Sequence, residues 1–165
     1  MVAFLAASIF IGYYAYSESQ PKVGQIELSG TTLSVELTTS NATTQMLTKI
    51  SIAGVTLTVE LATTPAEQEQ GLSDRNSMPA DQGMLFVFSQ EAEWGFWMHE
   101  MRFPLDIIWF NASRQVVFIE QDLPPCTPSL CSVYTPTATA MFVLEVNAGF
   151  VATNGVALGE SFAFV

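Results

Sequence analysis

Three patterns of apolar and polar positions follow one another along the chain. Residues 2–16 (VAFLAASIFIGYYAY) are apolar on every side and carry no charge. Such a segment predicts a helix buried in lipid or in protein, not an amphipathic surface helix. From residue 26 the pattern changes to strict alternation. IELSGTTLSVELTTS (26–40) and ISIAGVTLTVELATT (50–64) each alternate around a central glycine, which predicts two β-hairpins. The two segments align at a constant offset of 24 with eight of fifteen positions identical, including Gly30/Gly54 and both Val-Glu-Leu runs. This reads as a duplicated hairpin that extends the sheet or lends a strand to a neighbour, or as chance likeness between hairpins of common composition.

Beyond residue 64 the alternation breaks once. Pro65 opens a short helix that Thr64 or Thr63 can cap, with Glu67 and Glu69 near its N-terminus and Gly71 at its end. Apolar runs of buried-strand type follow at 83–88 (GMLFVF), 105–110 (LDIIWF) and 141–146 (MFVLEV), with a further strand at 115–121. Pro124, Pro125, Pro128 and Pro136 mark a loop over 122–136, and Asn147-Ala148-Gly149 and Asn154-Gly155 read as turns. The fold class expected is mainly β. A small barrel-like domain with one short helix (49–165) follows an apolar helix (1–20) and an extra hairpin with linker (21–48).

Composition narrows the setting. Sixteen acidic residues against five basic ones give a net charge of −11, which repels nucleic-acid phosphates and excludes a nucleic-acid partner. Fifteen helical residues reach about 22 Å, short of the roughly 30 Å hydrocarbon core. Residues 2–16 therefore read as part of a membrane anchor, as a signal peptide without a basic leader, or as a helix packed in a filament. Tyr13, Tyr14 and Tyr16 suit a membrane interface and favour the anchor. Cys126 and Cys131 are spaced for a local disulfide, which implies an oxidising compartment. A pair of reduced structural thiols is the alternative. Asn41 and Asn111 begin glycosylation sequons, although Ser and Thr are abundant enough to create such triplets by chance.

Four ordered motifs carry a resemblance to a known family. They are ELATTPAEQEQGLSDR (60–75), GMLFVF (83–88), FWMHEMRFPLDIIWF (96–110) and VLEVNAGFVATNGVALGE (143–160). From about residue 52 to the end, the chain resembles the domain of unknown function 192 (DUF 192) family. Ser73, where the family usually has Met, and His99-Glu100-Met101-Arg102 depart from its pattern. The resemblance implies a compact barrel-like β domain, often exported or lipid-anchored, and implies no agreed activity.

Catalytic constellations are hard to assemble. One histidine and two cysteines in a proline loop offer no Ser-His-Asp or Cys-His arrangement, and no phosphate-binding glycine loop is present. With sixteen acidic residues, some carboxylate pair is inevitable and names no reaction. Arg75, Asp106 and Glu145 are the charged residues at family-matching positions. Inside apolar strands, Asp106 and Glu145 must face solvent or be buried with a partner. The expectation is an Arg75–carboxylate bridge bracing the domain. The alternative is a small polar pocket of Arg75, Trp97, Met98, Asp106 and Glu145 for a sugar or another neutral polar ligand. Trp97, His99 and Met101 could also share one strand face and hold Cu(I) through imidazole, thioether and aromatic ring. Packing is the competing reading for Trp97 and Met98, and no cofactor is otherwise expected.

The function expected is a non-catalytic, membrane-tethered extracytoplasmic binding or interaction module, held by residues 1–16. The alternatives are a subunit of an extracellular filament or cell-envelope assembly, self-associating through the N-terminal helix or hairpin, and an accessory copper- or sugar-handling protein.

Overall fold

The computed structural model describes residues 22–28, 31–40, 43–127 and 129–165, with side-chain packing described from residue 46 onward. The expected anchor segment and Asn41 lie outside the described residues. The strands are β1 (Lys22–Leu28), β2 (Thr31–Ser40), β3 (Thr43–Ile52), β4 (Val55–Ala62), β5 (Gln82–Ala92), β6 (Phe96–Trp97), β7 (Leu105–Phe110), β8 (Val116–Leu123), β9 (Val133–Tyr134), β10 (Ala140–Asn147) and β11 (Ala163–Phe164). Two short helices interrupt them, α1 (Pro65–Gln70) and α2 (Phe150–Asn154).

The main sheet runs β1-β2-β3-β4-β5-β10-β7-β8, and β11 pairs with β3. The repeat is visible in its register. Ile26 pairs with Leu33 in the first hairpin, as Ile50 pairs with Leu57 in the second, 24 residues on. The chain then crosses through α1, so that β5 lies parallel to β4. At the crowded contact between β5 and β10 only glycine fits, because a Cβ on Gly83 would lie 2.8 Å from the Glu145 carbonyl oxygen.

Among the described residues the strand ladder forms an open sheet, without the continuous pairing that would close the expected barrel. The outer flank of β3 is divided. Its first half pairs with β2, and β11 occupies Ile50 and Ser51. Residues 159–162 reach the start of β8 through one isolated bridge, Gln115 to Ser161, where Val116 N–H donates to Glu160 O at 2.7 Å, Gly159 N–H to Val116 O at 2.8 Å and Phe162 N–H to Arg114 O at 3.2 Å. The extra hairpin thus occupies part of the edge that a closing strand would need.

Within residues 49–165 one short helix was expected, and two are present among the described residues. The second, α2, replaces the turns read around Asn147–Asn154. A free-standing five-residue helix is unfavourable, so its cause must be tertiary. Asp106 supplies it. The Asp106 carboxylate accepts N–H groups from Gly149 at 3.2 Å and Val151 at 2.8 Å, which are amides of the first turn.

From residue 46 onward, both faces of the sheet carry buried side chains. One face packs Ile50, Leu57, Leu61, Leu85, Ile108, Leu144 and Phe162. The other packs Met84, Phe86, Met98, Ile107, Trp109 and Val143 under the loops of residues 71–104. All six residues of β7 are therefore buried, as an apolar run without alternation requires.

Candidate functional site

The second face carries an anomaly. Glu60, Met84, Glu145 and Ile107 stand opposite one another on β4, β5, β10 and β7, and so project to the same face. That row places Glu145 inside an apolar layer, 4 % exposed, with its Oε2 lacking a hydrogen-bond partner. Burial pushes the carboxyl up to about 8, and the nearby positive charge of Arg75 opposes that rise only in part. At neutral pH Glu145 is thus a neutral acid. It can donate a hydrogen bond, or give up its proton to pair with a cation.

Arg75 does not bridge to Asp106 or Glu145. It binds Glu60 with both nitrogens, at 2.5 and 2.7 Å. Sequence reasoning passed over Glu60 because its strand alternates cleanly and a solvent-facing glutamate is the ordinary reading. The available signal was its place in the repeated Val-Glu-Leu run, directly ahead of the helix. The ion pair holds the guanidinium above its ordinary value, with the Glu60 hydrogen bonds the main cause.

Local chemistry builds the roof over this row. Thr64 caps α1, and Glu67 closes the capping box by accepting the Thr64 N–H at 2.8 Å. Burial raises the Glu67 carboxyl, but hydrogen bonds from Thr64 and Thr63 outweigh it and leave the group below its usual value. Gln68 ties the helix to the sheet through the Val87 carbonyl at 2.9 Å. Gly71 ends the helix at φ 49°, and a Cβ there would meet Phe86 at 3.4 Å and Glu145 Oε2 at 3.9 Å. Two loops are then stitched together. Ser73 Oγ donates to His99 O at 3.1 Å, Asp74 N–H donates to Glu100 O at 3.0 Å, and Arg102 contacts Asp74 and Asn76. Asp74 and Glu100 both adopt left-handed backbone, at φ 65° and 58°. Such conformations cost about 1 kcal/mol for non-glycine residues and persist where surrounding contacts hold them.

Two adjoining hollows result. A cleft of about 230 Å³ lies among Glu60, Leu61, Ala66, Gly71, Arg75 and Met84. A smaller recess of about 30 Å³ is walled by Phe86, Phe96, Trp97, Met101, Glu145 and the chain from Gln68 to Ser73. The two share Gln70 and Gly71. The recess is water-sized. Its aromatic wall is braced by the edge-on contact of Phe86 with Phe96 at 4.8 Å.

The remaining expected residues are dispersed. Asp106 is fully buried and also accepts the Asp122 N–H at 2.9 Å. It is an internal brace and does not line either hollow. Met98 is buried in the core, while Trp97 is 51 % exposed and stacks on His99 with ring centres 5.0 Å apart. Met101 does not share their outer face. The strand ends at Trp97, the turn at Glu100 breaks the alternation, and Met101 packs inward. Cys126 and Cys131 form a disulfide. Asn111 closes the β7–β8 turn by accepting the Gln115 N–H at 3.0 Å. Among the described residues, no three His, Cys, Asp or Glu side chains are grouped to hold a metal ion.

Comparison with known proteins sets this geometry in a family. Residues 48–164 match the family described as Uncharacterized ACR, DUF192. No functionally curated protein matches. Among solved structures, a protein of unknown function from Novosphingobium aromaticivorans DSM 12444 is similar at 26% identity and TM-score 0.69, covering 77% of this chain and 91% of its own. A candidate transcription regulator from Sinorhizobium meliloti 1021 is similar at 32% identity and TM-score 0.64, covering 73% of this chain and 92% of its own.

Proposed function

The chain belongs to the DUF192 family, and on that premise we propose that it is a non-catalytic module that binds a small ligand outside the cytoplasm. The observation that carries this reading is the Glu145 oxygen, buried without a partner in the recess that adjoins the cleft. An unpaired buried acid is costly to keep, and a ligand that satisfies it explains its place. Glu60, on the same face, is engaged by Arg75 in an ion pair. The Cys126–Cys131 disulfide supports an oxidising, extracytoplasmic setting. Tethering rests on residues 1–16, which lie outside the described residues. Among the described residues, no helix is long and apolar enough to cross a membrane. The regulator description of the Sinorhizobium relative is not carried over, because a net charge of −11 opposes contact with DNA.

Ligand-observed NMR on the full chain in detergent tests the reading, with a panel of neutral monosaccharides, amino acids and short alkylamines. Binding of at least one panel member is expected, lost on Glu145→Leu and on Ala66→Trp, which fills the cleft. Panel binding that survives both changes, or no binding at all, refutes it.

One observation favours assembly as a second reading. Among the described residues β1 pairs only with β2, and its other edge is open to strand addition. A detergent-released monomer argues for the tether, and detergent-resistant polymers argue for assembly.

A further inference from the structure

We propose that the recess beside Glu145 receives the ammonium head of a primary amine, with the amine's short aliphatic stem lying in the adjoining cleft. The inference rests on the binding reading above and names the ligand class for that same site.

Shape comes first. The recess of about 30 Å³ is sized for a single water or an ammonium group. A quaternary head is too large. The neighbouring cleft offers Leu61, Ala62, Ala66 and Met84 as apolar walls for a stem. Gly71 stands between the two hollows, and its missing Cβ leaves the way to Glu145 Oε2 open.

Chemistry comes second. Phe86, Phe96 and Trp97 surround a carboxyl group, which is the environment that attracts a desolvated cation through ring quadrupoles and a counter-charge. The groups around Glu145 do not cancel this preference. Ile107 and Met84 flank it on neighbouring strands and are uncharged. Arg75 is the nearby cation, but Glu60 on β4 neutralises it through two hydrogen bonds. Glu69 adds a negative charge from the α1 side of the recess. His99 and Glu100 lie in the loop beyond Trp97 and contact each other at 3.9 Å.

The proton balance is simple. The bound ammonium keeps its three protons, the Glu145 carboxyl loses one to solvent, and a buried ion pair replaces a buried neutral acid. No covalent bond forms. Uptake is therefore linked to proton release wherever free Glu145 is protonated.

Calorimetry on the full chain in detergent compares n-butylammonium with 1-butanol, which has the same length and no charge. At pH 7 the amine is expected to bind at least tenfold more tightly than the alcohol. Because the buffer takes up the released proton, the heats observed in phosphate and in MOPS should differ by the difference between the two buffers' protonation heats for about one proton. Affinity for the amine should rise several-fold per pH unit from 6 to 7.5, and Glu145→Gln should abolish both the proton release and that slope. If Glu145→Gln does not fold, the wild-type proton count and pH slope decide the matter alone. Equal binding of amine and alcohol, or amine binding without proton release, overturns the ammonium assignment and leaves the cleft reading standing. Saturation by neither probe, with no other panel ligand displaced from the cleft, means the recess holds water only and overturns both.

Discussion

Replacing Glu145 by glutamine should change how stability depends on pH more than it changes stability itself. In the folded chain Glu145 holds its proton up to about 8, against an ordinary value of 4.5. The unfolded chain releases that proton above 4.5, so the folded state binds more protons between the two values. The resulting stability is complete at acid pH and is lost as pH rises through about 8. Within that window each pH unit shifts the balance by about 1.4 kcal/mol, so wild type should lose roughly 2.5 kcal/mol relative to Glu145→Gln between pH 5 and pH 7. Glutamine imitates the neutral acid in size and polarity, and any fixed cost of its amide is the same at both pH values. The assay is urea unfolding of both chains at pH 5, 6 and 7, followed by tryptophan fluorescence. Other titrating groups are common to both chains and cancel in the difference. A difference that stays within about 0.5 kcal/mol across the series would show that Glu145 is ionised or solvated when folded, and the argument for a buried neutral acid would be lost.

Four further outcomes follow from the same contacts. Asp106→Ala removes the acceptor for three backbone amides, at Asp122, Gly149 and Val151, and should cost about 3–5 kcal/mol in urea unfolding. Asp106→Asn should recover part of it. Arg75→Ala leaves Glu60 unpaired at a half-buried position and should destabilise by about 1–3 kcal/mol, an effect that a double-mutant cycle with Glu60→Gln should halve or better. Thr64→Ala breaks the capping box and should cost about 1 kcal/mol, with faster hydrogen exchange confined to Glu67 and Gln68 if the loss is local. Reducing the Cys126–Cys131 bridge, which spans a separation of five residues, should cost about 2 kcal/mol and leave the Glu145 pH slope untouched, since the bridge lies outside the recess.

Much of this molecule can be read from its residues in order. Apolar–polar alternation around Gly30 and Gly54 foretells both hairpins, and the offset of 24 foretells their matching register. Thr64, Pro65, Glu67 and Gly71 specify α1 from end to end, because capping is chemistry between neighbours in sequence. The run Leu105–Phe110 announces a strand buried on both faces by its lack of alternation. The short spacing of Cys126 and Cys131 foretells their bridge. The four motifs from residue 60 onward foretell the family.

What escapes the linear reading depends on contacts between distant segments. A barrel and an open sheet share the same strand pattern, and only the tertiary pairings, β2 along Thr43–Leu47 of β3 and β11 at Ile50 and Ser51, reveal the open arrangement. Helix α2 resembles turns in sequence because its N-terminal acceptor, Asp106, lies more than forty residues earlier. The two strand carboxylates Asp106 and Glu145 look alike in sequence. One is satisfied by three amides, and the other is left with an unpartnered oxygen under an aromatic wall. Local order along a chain records propensity and capping. The state of a buried charge is set by what the rest of the fold brings within hydrogen-bonding distance, and that depends on the tertiary structure alone.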